Sequence, residues 1–370
     1  MSVNINGSTG VSLVQDGVIV TADMASSVPL GAKNRIINGN MAIDQRNAGA
    51  AVVVGGSITY VVDRFLLANT TGTGTTTGQQ STLGNAKSFK LTATAAVTAL
   101  TTSLTVYGIA HRIEAQNIFD LNSKGITISF NVETNWSGNL SIAIANYNFS
   151  RSYISDIAVV SGTNNVNLSL TLEATSVLTN DNTQGLQIAI GANNEATYRT
   201  ATTDTWIAGF FNCSTSSTQW AKTTGNFINV TNVQLEEGST ATAFEHRSYG
   251  QELALCQRYY YQIGGNSVVG TGAYTIIGVG QALNTSTVDM AVPFKVSMMA
   301  APTLVYSGNF IISSGAAVRV VTSVSSLSGT TKNVAFLRTV ASSAGLTSAS
   351  GAVVEANNDS TAFFSFTSEL

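Results

Sequence analysis

The feature that most constrains the fold is a repeated alternation of apolar and polar residues in short segments. GITISFNVET (125–134), LSIAIANY (140–147) and NVNLSLTLEA (165–174) place apolar residues at about every second position. Successive side chains of a strand point to opposite faces, so this pattern predicts strands with one buried face. Stretches rich in Asn, Gly and Ser separate the segments, which favours an antiparallel sandwich over βαβ units.

The same alternation recurs along most of the chain. It predicts further strands at 58–67, 185–192, 205–211, 226–237, 274–281, 286–294, 302–308, 318–324, 333–340 and 361–367. By contrast, NTTGTGTTTGQQSTLG (69–84) has few apolar residues and is predicted to be a low-complexity loop. A flexible linker and a tip loop that touches a partner are both open interpretations of that loop.

In one segment the apolar residues recur with the period of a helix instead of that of a strand. In SYGQELALCQRYYYQ, Ser248 is followed three residues later by Gln251, which is a capping-box arrangement. Four residues then fall on one helical face: Leu253, Cys256, Gln257 and Tyr260. Because Gly264-Gly265 stops the run, the pattern predicts a helix over residues 248–263 between two β domains.

These patterns predict four parts in the chain. They are an N-terminal attachment segment (1–33), a first β domain (34–247), a helical connector (248–265) and a C-terminal β domain (266–370). In the first part, Asp16-Gly17 predicts a hairpin over 12–21, and residues 21–33 are expected to be a short helix or linker. A flexible tail is the alternative for this part.

The low charge content excludes one class of partner. Only 10% of residues are charged, with 17 Lys and Arg against 20 Asp and Glu in 370 residues. Nucleic-acid binding needs a dense basic surface, so we expect no nucleic-acid partner. The first residues contain neither a basic region nor an apolar one, which predicts that there is no signal peptide. With no apolar run near 20 residues, we also expect no transmembrane segment and synthesis in a cytoplasm.

The sequence contains no recognisable motif for catalysis or metal binding. His111 and His246 are not spaced as metal ligands are, so we predict no metal site. We likewise predict no cofactor and no catalytic residue. Cys213 and Cys256 are expected to be free thiols, with one disulfide as the alternative. Glycoside hydrolysis needs two carboxylates about 5–10 Å apart. Adjacent Glu236-Glu237 would point to opposite faces of a strand, whereas three other acidic residues are able to converge: Asp63, Glu114 and Glu133.

One aromatic residue is a candidate for ligand contact, and one group of charged residues is a candidate for a structural role. Trp136, at a strand end beside a turn, is the tryptophan expected to be most exposed, and it is the candidate for glycan contact. Four charges stand out in a neutral region: Asp44, Arg46, Asp63 and Arg64. Burying such charges alone is costly, so we predict that they pair with one another near a sheet edge, with Glu237 or Arg247 as further partners. They are predicted to lock the fold rather than to bind a ligand.

Several blocks resemble a family of phage tail-fibre and receptor-binding proteins. The resemblance is carried, in the family's order, by VNINGSTGVSLVQDGV (3–18), NRIINGNMAIDQRNAG (34–49), YVVDRF (60–65), HRIEAQNIFDLNSKGITISFNVET (111–134), VQLEEGSTATAFEHRSYGQELALCQRYYY (233–261) and VPFKVSMMAAPTLVYSG (292–308). It implies an all-β protein with a jelly-roll domain similar to carbohydrate-binding modules, a short connecting helix, and a distal β-sandwich or barrel. It also implies a homotrimer on a virion projection and no established catalytic residues.

Three functions are compatible with this resemblance. The first is a non-enzymatic tail-fibre or adhesin subunit, attached to other virion proteins through its N-terminal segment. Such a subunit would bind a host glycan or outer-membrane receptor, with residues 266–370 as the receptor-binding tip. The second is a capsid decoration or tail connector protein, and the third is a polysaccharide depolymerase. The lack of a recognisable acid pair disfavours the third.

The predicted helix offers a test of trimerisation. Leu253 and Tyr260 are the candidates for an oligomer interface, because the helix has apolar residues on more than one side. Replacement of Leu253 with Asp is expected to weaken assembly. An unchanged oligomer mass in light scattering would contradict an interfacial helix.

Overall fold

The protein is described by a computed structural model at residues 33–54, 58–68, 73–99, 106–173, 178–194, 196–265 and 272–370. The hairpin predicted at 12–21 and the helix or linker predicted at 21–33 lie outside these residues, apart from Lys33. Residues Asn34–Leu370 form one structural unit. In the described residues no helix has the length and apolarity that crossing a membrane requires.

The described part of the first β domain contains fifteen strands. They are β1 (Val52–Val54), β2 (Ile58–Val62), β3 (Phe65–Ala68), β4 (Thr73–Leu83), β5 (Ala86–Ala99), β6 (Val106–Glu114), β7 (Gly125–Thr134), β8 (Gly138–Asn146), β9 (Arg151–Val159), β10 (Gly162–Thr171), β11 (Gln184–Ile190), β12 (Arg199–Thr200), β13 (Trp206–Ala208), β14 (Cys213–Ser214) and β15 (Phe227–Glu237). Short 3₁₀ turns lie at Ala115–Asn117, Phe119–Leu121, Ala196–Tyr198 and Trp220–Lys222.

The remaining elements follow residue 248. They are the helix α1 (Tyr249–Gln257) and the strands β16 (Tyr260–Gly264), β17 (Ile276–Ala282), β18 (Thr287–Pro293), β19 (Thr303–Ser307), β20 (Phe310–Ser314), β21 (Ala317–Ser326), β22 (Val334–Ala341), β23 (Gly351–Ala356) and β24 (Phe363–Thr367).

Two antiparallel sheets face each other in the first β domain. One has six strands in the order β1-β4-β5-β15-β7-β10, and the other has seven in the order β13-β9-β8-β11-β6-β3-β2. The chain crosses repeatedly between the sheets, for example from β5 to β6, from β6 to β7 and from β7 to β8, as in a jelly roll. Apolar residues on the inner faces, among them Phe89, Ile128 and Ile188, form one buried core. The predicted fold class, all-β with an antiparallel jelly-roll sandwich, is therefore confirmed.

The second β region is a closed barrel with a small sheet beside it. The barrel has six strands in the order β17-β18-β22-β21-β20-β23, and the sheet has the order β16-β24-β19. Both share one core, to which Met290 and Leu337 of the barrel and Phe364 of the sheet belong. Closure pairs every barrel strand on both sides and leaves the barrel without an edge.

Two strand predictions in the sandwich were wrong in detail. Residues 58–67 form the hairpin β2–β3, because Asp63-Arg64 makes a turn with Arg64 at φ 69°. The loop predicted at 69–84 is largely strand β4, which pairs along β5. Its threonines suit a pleated surface, and Gly78 leaves room for Phe89, whose ring would lie 2.9 Å from an added Cβ.

The predicted helix begins where expected but ends early. The Ser248 side chain accepts a hydrogen bond from the Gln251 backbone N–H, as a helix N-cap does. The helix ends at Gln257, and the predicted last turn is instead strand β16, antiparallel to β24. Aromatic and β-branched residues in this segment favour a strand over a helix. Pairing with β24 provides the backbone hydrogen bonds that the last helical turn would otherwise have formed.

The close approach of two barrel strands can be tested by substitution of a glycine. A Cβ at Gly280 of β17 would lie 2.1 Å from the backbone oxygen of Asp289, whereas a Cβ at Gly351 of β23 would have no neighbour within 4 Å. We expect Gly280→Ala to lower the free energy of unfolding by about 1–3 kcal/mol in a chemical denaturation experiment. Gly351→Ala is the matched control, with an expected change within about 0.5 kcal/mol. Equal effects of the two substitutions would contradict the close approach at Gly280.

Candidate functional site

The predicted charges meet where the end of the chain returns to the sandwich. Glu369, two residues beyond β24, pairs through one carboxylate oxygen with Arg46 and through the other with Arg64. Arg64 is almost completely buried, and its guanidinium lies 3.6 Å above the centre of the Tyr259 ring. Arg46 stacks in the same way on Tyr260, also at 3.6 Å. We call this set of five residues the Glu369 junction.

The other two predicted charges support the junction. Asp63 lies 3.8 Å from Arg46 and accepts a hydrogen bond from the Gln45 backbone N–H at 3.2 Å. Burial raises the pKa of Asp63 to about 7, although the positive charge of Arg46 acts in the opposite direction. Asp44 does not join the cluster, because its carboxylate accepts from the backbone N–H groups of Asn47 and Gly49. It therefore fixes the turn that presents Arg46.

The expected partners of these charges were wrong. Glu237 pairs with exposed Lys124, and Arg247 pairs with Glu245 and Glu252. The actual partner, Glu369, is 305 residues away from Arg64, and no local sequence pattern indicates so distant a contact.

The end of the chain is held by a second group of contacts. The main-chain oxygen of Leu370 accepts hydrogen bonds from Arg112 at 2.6 Å and from the Tyr60 hydroxyl at 3.1 Å. Arg64 donates to the main-chain oxygen of Arg112 at 2.6 Å, which connects this group to the Glu369 junction. The end of the C-terminal β region is thus bound to strands β2 and β6 of the sandwich and to the turn between β2 and β3.

Trp136 does not lie where the sequence predicted. Its side chain is only 8% exposed, and its indole N–H donates to the main-chain oxygen of Phe227 at 3.0 Å. The turn beside it folds the ring into the sandwich core instead of leaving it in solvent. The expected exposure is therefore wrong, and stacking of a sugar on this ring would require the ring to leave the core.

The two interface candidates contact residues of their own chain. Leu253 is half-buried against a small cluster that includes Ile37, Ile43 and Tyr259. Tyr260 is buried beneath Arg46. Replacement of either residue would therefore change contacts within the chain, and trimerisation stays a prediction.

The acidic residues considered for glycoside hydrolysis contact other partners, and the described residues assemble no metal site. In the described part of the chain, no three His, Cys, Asp or Glu residues are grouped so that they could hold a metal. Glu114 is buried and bound by Arg258 at 2.7 Å, and Glu133 accepts from Asn229 at 3.1 Å. Cys213 and Cys256 are free and buried. Burial raises the pKa of the Cys213 thiol to about 11, so this thiol is protonated and unreactive near neutral pH.

A groove beside the β8–β9 turn has the features of a ligand site. Its volume is about 280 Å³, and its walls include Tyr147, Thr179, Asp181, Thr183 and Gln184. Tyr147 is 49% exposed, so one face of its ring is open to a ligand. The Nε2 atom of Gln184 is buried and has no hydrogen-bond partner among the described residues. We call this site the Tyr147 groove.

The fold fixes the walls of the groove. The backbone N–H groups of Ala115 and Gln116 donate to the main-chain oxygens of Thr183 and Asp181 at 2.8 and 2.9 Å. Gly185 permits this approach, because an added Cβ would lie 2.8 Å from the Cα of Ala115. Hydrogen bonds from the Thr183 hydroxyl and backbone N–H hold the pKa of Asp181 below its ordinary value, so this carboxylate stays ionised.

The groove combines an open aromatic ring with hydrogen-bonding groups. The amide of Gln184 offers a donor and Asp181 an acceptor. The Tyr147 hydroxyl can donate and accept, whereas the hydroxyls of Thr179 and Thr183 donate to Asp181 and remain available as acceptors. A pyranose ring presents C–H groups to an aromatic face and hydroxyls at its edge, which these groups complement. Tyr147, like Trp136, is an aromatic residue at a strand end beside a turn. This signal could have identified Tyr147 from the sequence, but only Trp136 was predicted from it.

No protein-family model and no curated protein matches the chain. Among solved structures, it is similar to the CBM22-1 xylan-binding domain from Paenibacillus barcinonensis Xyn10C, with 9% identity, a TM-score of 0.27, and coverage of 53% of this chain and 99% of that one.

Two further solved structures have similar values. The module TmCBM61 in complex with β-1,4-galactotriose has 8% identity, a TM-score of 0.23, and coverage of 56% of this chain and 100% of that one. An apo-form cyclase from Fischerella sp. has 10% identity, a TM-score of 0.29, and coverage of 57% and 98%. TM-scores this far below 0.5 assign neither a ligand nor an activity to this chain.

The Glu369 junction can be tested by removal of one charge. Glu369→Gln leaves the buried guanidinium of Arg64 without its anion and removes one of the two acidic partners of Arg46, so we expect the free energy of unfolding to fall by about 3–5 kcal/mol in chemical denaturation. The matched control is Glu237→Gln, which removes a surface pair with Lys124 and is expected to cost about 1 kcal/mol or less. Similar losses in the two variants would contradict a structural role for the junction.

Proposed function

We propose that this chain is a non-catalytic attachment protein of a phage virion, of the tail-fibre or adhesin type, that binds host-surface saccharides reversibly in the Tyr147 groove. The proposal rests on one observation: the exposed ring of Tyr147 and the buried, unpartnered side-chain nitrogen of Gln184 line the same groove. A buried donor without a partner costs about 1–3 kcal/mol, and a bound hydroxyl would relieve that cost.

The virion setting is supported by the sequence blocks that resemble phage receptor-binding proteins. In this proposal, residues 1–33 attach the chain to other virion proteins, the chain assembles as a homotrimer, and residues 266–370 form the distal part. The Tyr147 groove adds a saccharide site on the sandwich, so recognition does not depend on the distal part alone.

Binding without turnover is supported by the carboxylates. Glu114 is neutralised by Arg258, and Asp63 is enclosed beside Arg46. Asp181 is the one carboxylate among the described residues that line the Tyr147 groove, whereas hydrolysis of a glycoside needs two. The groove is therefore suited to holding a saccharide rather than to cleaving it.

A second candidate function is a capsid decoration or tail connector protein. It is favoured by a row of outward apolar residues across the barrel, in which Val279 lies opposite both Val353 and Ala291, and Ala291 lies opposite Phe336. Val279 is 63% exposed, and such a row suits contact with another protein. To test this function, the labelled chain is mixed with virions that lack this protein and, separately, with host cells. Binding to the virions but not to the cells would favour this function over adhesion.

The adhesin proposal is tested on a printed array of neutral and anionic oligosaccharides. Tyr147→Ala and Gln184→Ala are each expected to weaken saccharide binding about tenfold, because each removes one principal contact worth about 1.4 kcal/mol. Tyr274→Ala is the matched control, since this tyrosine is similarly exposed but lies next to the barrel. The proposal fails if the intact chain binds no saccharide, or if all three variants bind equally well.

A further inference from the structure

A second groove lies on the opposite side of the sandwich, on the outer face of the six-stranded sheet. Its volume is about 140 Å³, and we name it the amide groove after the side chains that line it: Asn131, Asn165, Asn167 and Asn232, together with Ser129 and Phe244. None of these six side chains carries a charge. The groove is separate from the Tyr147 groove, which belongs to the end of the seven-stranded sheet.

Three of the asparagines form a chain of hydrogen bonds across neighbouring strands. Asn232 of β15 donates from its side-chain nitrogen to the side-chain oxygen of Asn131 on β7, at 2.9 Å. Asn131 in turn donates to the side-chain oxygen of Asn165 on β10, at 2.5 Å. Because Asn131 and Asn165 are directly opposed in the β7–β10 register, the sheet itself sets this spacing. Each bond in such a chain polarises the next.

The chain of amides is open at both ends. The side-chain oxygen of Asn232 is buried and has no hydrogen-bond partner among the described residues. At the other end Asn165 is exposed, and no described residue accepts from its side-chain nitrogen. The chain of amides therefore leaves the side-chain oxygen of Asn232 free to accept and the side-chain nitrogen of Asn165 free to donate.

The backbone holds Asn232 in an uncommon conformation. The pairing of β15 with β7 shifts register between Thr231 and Gln234, and Asn232 lies within this bulge at φ 55°. Bulges redirect side chains and are frequent beside binding sites. Here the bulge turns Asn232 to the outer face, where it meets Asn131.

An aromatic wall stands over the amides. Phe244 is half-buried at the groove, with its ring centre 5.0 Å from that of His246. Its segment is fixed to the sheet, since Thr127 donates to the main-chain oxygen of Gly238 at 2.8 Å and the Glu245 backbone N–H donates to Gln234 at 2.9 Å. The ring is thus positioned before any ligand arrives.

We propose that the amide groove is a second saccharide site, specific for neutral pyranoses with free hydroxyl groups at separate positions of the ring. A hydroxyl donates one hydrogen bond and accepts others, so two separate hydroxyls match the unused donor of Asn165 and the unused acceptor of Asn232, which lie on the two strands that flank β7. Phe244 offers an apolar surface for the C–H face of the ring. An anionic sugar finds no cation among the residues that line the groove, and its carboxylate would lose hydration without compensation.

Two saccharide sites on one chain would increase the strength of attachment. A long host polysaccharide, or two neighbouring glycans, could occupy both, and the second contact would then form at a high effective concentration. The inference shares the ligand class of the proposed function but concerns other residues, so either can hold without the other.

The test uses nuclear magnetic resonance of the side-chain amides in the full-length protein, labelled with ¹⁵N. The probes are the methyl glycosides of glucose, galactose and mannose, added separately. We expect the Asn131, Asn165 and Asn232 amide signals to shift saturably with at least one probe. Phe244→Ala and Asn165→Ala are expected to weaken that response about tenfold. Thr163→Ala, an exposed change in the same strand β10, is the matched control and should leave it unchanged.

The same titration distinguishes the two sites. In Tyr147→Ala protein the signals of the three asparagines should respond as in the unsubstituted chain. If the Gln184 amide shifts with a probe and the three asparagines do not, the amide groove is refuted and the proposed function stands. If none of these signals responds to any of the three probes, the amide groove is refuted, and the array of neutral and anionic oligosaccharides decides the proposed function independently. An equal response in Phe244→Ala protein would also overturn the inference.

Discussion

The pairing of Glu369 with Arg46 and Arg64 is the contact on which the arrangement of the two β regions depends. Arg64 is buried, and a lone guanidinium at such a position would be costly to desolvate. The carboxylate that compensates it comes from the end of the chain, after β24 has completed the small sheet beside the barrel. The sandwich therefore reaches its full stability only when the C-terminal region has folded and its last residues have docked.

This arrangement separates the charges that hold the fold from the surfaces that can bind a ligand. The junction uses two arginines stacked on Tyr259 and Tyr260, and its groups are occupied by one another. The two grooves instead contain Tyr147, Phe244, amides and hydroxyls, with few charges. The Tyr147 groove is also tied to the C-terminal region, because Asn182 donates to the main-chain oxygen of Met299 at 3.0 Å. The charges of the junction thus stabilise the fold, while the two grooves present nearly neutral surfaces to saccharides.

Much of the fold could be predicted from periodicity. The alternation in residues 125–134 marks β7 at its observed bounds, and Ser248 marks the start of the helix. The end of the helix could not be predicted, because pairing of β16 with distant β24 outweighs local helical preference. Strand β4 was missed for a similar reason, since its threonines and glycines become a strand only beside β5.

The sites were less predictable than the fold. The role of Arg46 and Arg64 as paired structural charges could be inferred from the cost of burying them, but Glu369 could not be identified as their partner. Trp136 and Tyr147 have the same sequence signal, and only the packing decides that the first is buried and the second is open. The amide groove depends on the β7–β10 register and on the bulge at Asn232, neither of which is visible in the order of residues.

The central claim, reversible saccharide binding without turnover, is tested most directly by recovery of the bound saccharide. The full-length chain is incubated with each oligosaccharide to which it binds on the array, and the saccharide is then released and analysed by mass spectrometry and by an assay for reducing ends. The account predicts saturable binding and recovery of every saccharide at its original length. Shortened products with new reducing ends, or the absence of saturable binding to any saccharide, would contradict it.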